Sequence, residues 1–263
     1  MPFSLFSRKK PSRRFNEFYA DWSKTLAENC LPGLRQALSS AAPAAVLSSN
    51  VDVVLRHLVS YYETLDLAAD PNTIAYLLFP SWRNSLELPF LFLGDIHPYL
   101  LTNLLRSFID RENRDPDDDD SPELALDLDH PWKDPSDDLV TRIGQIECTM
   151  RLMVPVLQDR MRKAQRGFVA RVSENWVSSY RSREGRKMKP VTATAASAAV
   201  EEMEELVSIF VDANRLRKSV ITDVVGATSE HQAALFLEGL CQFLVGFKDQ
   251  FLLQDFELLS LPN

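Results

Sequence analysis

Apolar residues recur three or four positions apart along nearly the whole chain, the spacing of one helix face. Phe15, Phe18, Tyr19, Trp22, Leu26 and Cys30 form a first stripe. Pro32 is expected to kink or end that helix, because proline lacks an N–H and its ring collides with the preceding turn. Residues 41–45, with Pro43, read as a connection. Val51, Val54, Leu55, Leu58, Tyr61, Tyr62 and Leu65 make a second stripe, with Asn50 as its expected N-cap. Asp70 followed by Pro71 pairs a capping residue with a proline at the first helical position, predicting a short helix to Phe79. Pro80 and Pro89 bracket a compact segment around Trp82, and Pro98 opens a helix through Leu100, Leu101, Leu104, Leu105 and Phe108. A long pattern then runs from Leu139 through Ile143, Ile146, Met150, Met153, Leu157, Met161, Phe168, Val172 and Trp176 to Tyr180, with a kink expected at Pro155. After a polar, basic break at residues 181–190, two helices are predicted at about 195–225 and 229–259. Ser229 and Gln232 open the second in capping-box spacing. No repeat of 20–50 residues is visible. The pattern predicts an all-α fold, a single helical domain over residues 15–258.

Composition agrees. The 263 residues hold only 8 glycines, against a turn-rich all-β protein, and 45% apolar residues, enough for a substantial core. Apolar runs such as residues 88–93 fall far below the ~18 residues of a membrane span. The opening residues lack a signal-peptide pattern, and Cys30, Cys148 and Cys241 are odd in number and widely spaced. The expectation is an intracellular, reducing setting without a disulfide scaffold or zinc–cysteine site.

The net charge of −8 is distributed in blocks. Residues 1–14 read as a basic tail carrying Arg8, Lys9, Lys10, Arg13 and Arg14. Residues 110–138 hold thirteen acids against three basic residues, a net of −10, and residues 160–189 hold ten basic residues against two acids, a net of +8. Asp117, Asp118, Asp119 and Asp120 lie between Pro116 and Pro122, so residues 112–137 are expected to form a disordered acidic loop. That loop is either simply solvated, paired with the basic block, or partner-facing.

The chemistry of catalysis is missing from the sequence pattern. His57, His97, His130 and His231 have no metal-ligand spacing, and nucleophile-elbow, dinucleotide and phosphate-loop motifs are absent. The run from Asp115 begins like a calcium loop but has Asp120 where glycine is required and Leu126 where glutamate is required. Neither an enzyme nor a bound cofactor or metal is expected. The basic residues 160–171 accompany an apolar face (Leu157, Met161, Phe168, Val172) that suits either a membrane surface, calmodulin, or the core with a solvated basic back. In the tail, Phe3, Leu5 and Phe6 precede the five cations. At up to about 1 kcal/mol per cation, attraction to an anionic leaflet is marginal without a second signal. Pro2 excludes N-myristoylation. A nuclear import signal and a plain tail are the other readings; sequence-specific DNA binding is not expected.

Five segments in order resemble the plant delay-of-germination (DOG1-type) domain family. They are Phe15-Asn16-Glu17-Phe18-Tyr19-Ala20-Asp21-Trp22; Tyr61-Tyr62-Glu63; Trp82 with Glu87 and residues 90–98, including Gly94; Asp212-Ala213-Asn214-Arg215-Leu216-Arg217; and His231-Gln232-Ala233-Ala234-Leu235-Phe236-Leu237. The resemblance implies a helical domain acting through protein partners. The residues that carry it read as structural: Phe15, Tyr19, Trp22, Trp82, Phe92 and Leu93 as core, Gly94 at a tight turn, Glu87 and Arg217 in internal pairs, Gln232 at a cap. No bZIP region accompanies the domain. The haem-associated histidines of the germination regulator align with Leu244 and Lys248, so haem is not carried over; fatty-acid binding stays open. The basic lead-in looks most like the inaperturate-pollen branch. That likeness implies a noncatalytic protein at plasma-membrane domains of developing pollen, where wall exine is withheld. Its partners would be a receptor-like or cytosolic kinase and the anionic inner leaflet; it would be peripheral and cytoplasmic, with homo-oligomers and a nuclear pool open. The alternative is a soluble nuclear or cytosolic regulator that binds phosphatases or transcription factors.

Overall fold

The computed structural model describes residues 11–110, 132, 135–181 and 191–254, and it is helical apart from one small hairpin. The first stripe forms α1 (Pro11–Thr25), a π-helical turn (Leu26–Cys30) and α2 (Leu31–Ser39). Pro32 therefore does not end the helix. The Leu31 N–H reaches back to the Leu26 carbonyl, and this wider turn absorbs the missing donor of the proline that follows.

α3 (Ala44–Ala68) begins before Asn50, directly after Pro43. Asn50 is internal, and its Nδ2 donates to the Val46 carbonyl at 2.9 Å instead of capping. The buried face of α3 carries Leu47, Val51, Val54, Leu58, Tyr61, Tyr62 and Leu65 and packs on α2, α7 (Val191–Ala227) and α8 (Glu230–Gly246). Burying each such leucine contributes about 1.5–3 kcal/mol. At Asp70 the chain makes a turn before any helix: Asp70 Oδ1 accepts from the N–H groups of Asn72 and Thr73, and α4 starts only at Ile74 (Ile74–Leu78).

β1 (Leu91–Phe92) and β2 (Asp95–Ile96) pair antiparallel around Leu93 and Gly94, whose φ angles are +49° and +87°. Two successive positive φ values are the signature of the two-residue hairpin turn that matches strand twist. A Cβ on Gly94 would lie 2.4 Å from the Leu77 carbonyl oxygen and 2.8 Å from Phe210, so the site is closed to a side chain twice over. α5 (Tyr99–Asp110) follows the hairpin.

Trp132 lies inside the span expected as a disordered acidic loop, yet it is fully buried and stacks on Phe108 at 5.7 Å. The body therefore reclaims the chain before α6 (Asp137–Arg181) begins. α6 runs unbroken through Pro155 and packs against α7 over most of its length. α8 stops at Gly246, earlier than the helix expected to 259, and residues 250–254 are helical again after a turn. Its start is as expected: Ser229 Oγ accepts from the Gln232 N–H, and the Gln232 side chain accepts from the Ser229 N–H. Among the described residues, no helix is long and apolar enough to cross a membrane.

Candidate functional site

The first three signature segments converge on one buried ionic cluster beneath the hairpin. Arg83, which follows Trp82, sits at its centre. Its Nη1 donates to Tyr19 Oη (2.9 Å) and Glu87 Oε1 (3.1 Å), and its Nη2 donates to Tyr61 Oη (2.9 Å) and Asp95 Oδ2 (2.5 Å). Each phenol passes the interaction on: Tyr19 donates to Glu87 at 2.9 Å and Tyr61 donates to Asp95 at 2.6 Å. Tyr62 donates to the other Asp95 oxygen at 3.5 Å, which also accepts the Ile96 N–H at 2.8 Å. Lys248, beyond the end of α8, reaches Glu87 Oε2 at 3.2 Å and lies 4.6 Å from the Tyr19 ring centre.

A second buried arginine fixes the hairpin itself. Arg217 on α7 donates through Nε to the Ile96 carbonyl (2.8 Å), through Nη2 to the Phe92 and Asp95 carbonyls, and through Nη1 to Asn214 Oδ1 (2.8 Å). Asn214 and Lys218, on the same helix, hold Asp66 of α3 at 2.9 and 2.7 Å. The Asp212–Arg217 signature is thus a clamp that joins α7 to α3 and to the hairpin backbone.

Burial alone would raise the Asp95 carboxyl, but the guanidinium groups of Arg83 and Arg217 and the bonds from Tyr61 and Ile96 hold it below the usual carboxylate range. Burial pushes the Tyr19, Tyr61 and Tyr62 hydroxyls upward, away from any role as a base near neutral pH. Burial also lowers Lys248, opposed by Glu87. The cluster binds its own charges together, and the buried Nε of Arg83 is left without a hydrogen-bond partner among the described residues.

The remaining signature residues surround it. Phe15 packs on Trp82 at 4.5 Å, and Trp22 stacks on His57 at 5.3 Å while donating to the His57 carbonyl at 3.1 Å. His57 returns the bond from Nε2 to the Trp22 carbonyl at 3.1 Å, which requires the proton on Nε2 and keeps Nδ1 bare. Glu87 and Arg217 are both internally paired, though not to each other. Leu244, at the position aligned with a haem-associated histidine, packs against the core. Among the described residues no group of three histidines, cysteines or acids could hold a metal ion.

The charged residues singled out in the tail and the acidic run fall elsewhere. Arg8, Lys9 and Lys10 and Asp117, Asp118, Asp119 and Asp120 lie outside the described residues. Arg13 and Arg14 fall in the first turn of α1. The basic stretch of α6 is tied to α7: Arg160 bonds Glu205 (3.0 Å), Ser208 (2.9 Å) and Asp212 (2.6 Å), and Arg171 pairs with Glu202 at 3.3 Å. Its residues Leu157 and Met161 pack into the core, so the face suited to a membrane is occupied at that point by the protein itself.

The sequence pattern does not single out Arg83, Asp66 or Trp132, and it carries Asp95 and Asn214 inside signature segments without giving either a role. Arg83 could have been found from its i,i+4 spacing to Glu87 in a segment otherwise rich in apolar residues.

A helical body whose signature residues build a buried clamp on a two-residue hairpin is the class of protein these elements define. The chain belongs to the delay-of-germination family, in its inaperturate-pollen branch. The family's sequence model, described as seed dormancy control, matches residues 17–107. The chain is 77% identical to the Arabidopsis thaliana protein INAPERTURATE POLLEN1 over the full length of both. It is 32% identical to the Oryza sativa subsp. japonica protein INAPERTURATE POLLEN 1 homolog over 93% of this chain and 89% of that one.

Proposed function

We propose that this protein acts in pollen aperture formation as a noncatalytic organiser of plasma-membrane domains, marking the sites in developing pollen where exine is not deposited. The observation that carries the reading is the 77% identity, across the whole chain, to a protein named for inaperturate pollen. The ionic cluster supports the noncatalytic part, since its carboxylates, phenols and guanidinium ends are bonded to one another within the fold. Contact with the anionic inner leaflet is assigned to Arg8, Lys9, Lys10, Arg13 and Arg14, and contact with protein partners, a kinase among them, to the helical body.

The match to a family described as seed dormancy control favours a second reading, a soluble nuclear or cytosolic regulator that binds phosphatases or transcription factors. Imaging the tagged protein in microspores at the tetrad stage separates the two. Patches or lines at the plasma membrane that coincide with future apertures are expected; a diffuse or nuclear signal without cortical enrichment would sink the organiser reading.

A further inference from the structure

The long pair α6 and α7 outruns the rest of the fold. Up to Leu157 the inward positions of α6, Ile143, Ile146, Met150 and Val154 among them, are buried. Beyond Ala164 no α6 side chain among those described is buried, and Phe168 and Val172 keep the inward spacing but stay half-buried. Residues 158–174 of α6 and 199–208 of α7 thus form a two-helix arm.

One side of the arm is closed by charge. Arg160 bonds Glu205, Ser208 and Asp212, and Arg171 pairs with Glu201 and Glu202. Nearer the body, that side holds a cleft of about 390 Å³, with Arg142 and Thr149 of α6 facing Asp223 and Gly226 of α7 and charges of both signs on its lips. The other side is open. Within the body it is covered, since Arg106 of α5 holds Glu147 of α6 there and Asp66 of α3 holds Lys218 of α7. Gln158 and Gln165 lie 11 and 18 residues beyond Glu147, and Val207 and Val200 lie 11 and 18 residues before Lys218. Those spacings are about three and five helical turns, so the same strip continues into the arm. There its cover ends: Val169 and Val200 are 64% and 53% exposed, and Met203 and Val207 are half-buried.

The two outer edges of this strip carry opposite charge. Arg162 and Arg166 stand exposed on the α6 edge, and Glu204 stands exposed on the α7 edge. Asp159, the one acid of α6 between Cys148 and Ser173, is bonded to Lys163 at 2.8 Å. The bonds from Arg160 to Ser208 and from Arg171 to Glu202 set the register of the helices, and they bring Glu204 level with the turn of Arg162 and Arg166. A strip with one cationic and one anionic edge at the same height is complementary to itself turned by half a revolution. A uniformly acidic or basic partner would satisfy one edge and oppose the other.

We propose that the open strip pairs with the same strip of a second copy of this chain, the two arms lying side by side as a four-helix bundle about a two-fold axis along them. α6 of one copy then covers α7 of the other. Val169, Val200, Met203 and Val207 form the apolar seam, and Arg162 and Arg166 meet the partner copy's Glu204. Residues 158–207 contain no histidine, so the pairing is indifferent to pH near neutrality. The proposal stands apart from the aperture reading, and its failure leaves that reading where it was.

The test is sedimentation velocity on the full chain over about 1–100 µM, where the mass should rise from monomer to dimer. Val169→Asp with Val200→Asp should weaken the dimer about tenfold or more, because each places a carboxylate in the seam. Both positions are exposed, so helical circular dichroism should be unchanged. Arg162→Glu with Arg166→Glu should weaken it as well, and so should Glu204→Lys, by setting like charges against each other. Mixing those two variants should restore a dimer, since each supplies the edge that the other lacks. A monomer at every concentration overturns the proposal, as does a dimer untouched by the valine variants. Failure of the mixture to restore pairing overturns it too, by denying that α6 of one copy meets α7 of the other. A monomer that binds vesicles containing phosphatidylserine, and loses them in the valine variants, overturns it in favour of a membrane.

Discussion

The hairpin clamp and the α6–α7 cleft handle the same raw materials, arginine, glycine and apolar surface, in opposite ways. At the clamp Arg83 and Arg217 are buried and bonded to carboxylates, phenols and carbonyls, and Gly94 is squeezed between Leu77 and Phe210. At the α6–α7 cleft Arg142 is exposed and has no ion-pair partner among the described residues, Gly226 faces open space, and leucine and valine side chains further along α6 stand in solvent. The family match over residues 17–107 takes in Arg83, Asp95 and Gly94 and stops short of every cleft residue.

The largest effect that would break this comparison is at the clamp. Arg217→Ala removes a buried cation and leaves the carbonyls of Phe92, Asp95 and Ile96 short of a donor, with Asp95 losing one of its two guanidinium neighbours. Breaking a buried charge in this way costs about 3–5 kcal/mol. That is a large share of the roughly 5–15 kcal/mol that holds a domain folded. Chemical denaturation should show the midpoint falling sharply. A loss no greater than that of an exposed arginine would mean that the clamp is not what closes the hairpin.

Periodicity made the helices legible, because each buried face is continuous and the spacing of Val51, Val54, Leu58 and Leu65 has only one structural meaning. It also placed the capping box at Ser229. It could not place the start of α3, since Asn50 caps as readily in sequence as it back-bonds to Val46 in a helix. It could not foresee the π turn before Pro32, which depends on how α1 and α2 share one core. The clamp was half legible. Glu87, Gly94 and Arg217 stood out by resemblance, but their partners Arg83 and Asp95 are polar residues whose burial is set by contacts distant in the chain. Trp132 was hidden by its acidic surroundings, because composition reports the average of a segment and a single tryptophan can anchor it. The cleft was not legible at all: exposed valines and a glycine in a helical pattern look the same whether or not two helices splay beside them.

A smaller effect, of opposite sign, sharpens the contrast. Gly144→Ala fills space that no atom of the described residues occupies and removes the conformational penalty of glycine within α6. The gain should approach about 1 kcal/mol. Thermal unfolding followed by helical circular dichroism reads it directly. Destabilisation by this variant would mean that the glycine serves the fold after all, and the contrast with Gly94 would fail.

The smallest effect separates the clamp from the α6–α7 arm by pH. Burial holds His57 below its ordinary value of 6.5, with the Trp22 carbonyl only partly opposing, and His97 is lowered in the same sense by burial and Arg217. As the pH falls below 6.5 the unfolded chain takes up these protons first, so stability declines with acidity until the folded-state values are passed. Asp95 acts in a separate window: its folded value lies below 3.8, so its contribution is intact above 3.8 and is lost only as the pH drops through the folded value. Pairing of the histidine-free arms should hold steady from about pH 7 to about pH 5, while denaturant midpoints fall over the histidine window. His57→Gln should flatten that fall without changing the affinity between copies. If pairing and stability instead decline together, and His57→Gln rescues both, the arm is coupled to the clamp, and the two regions are one device.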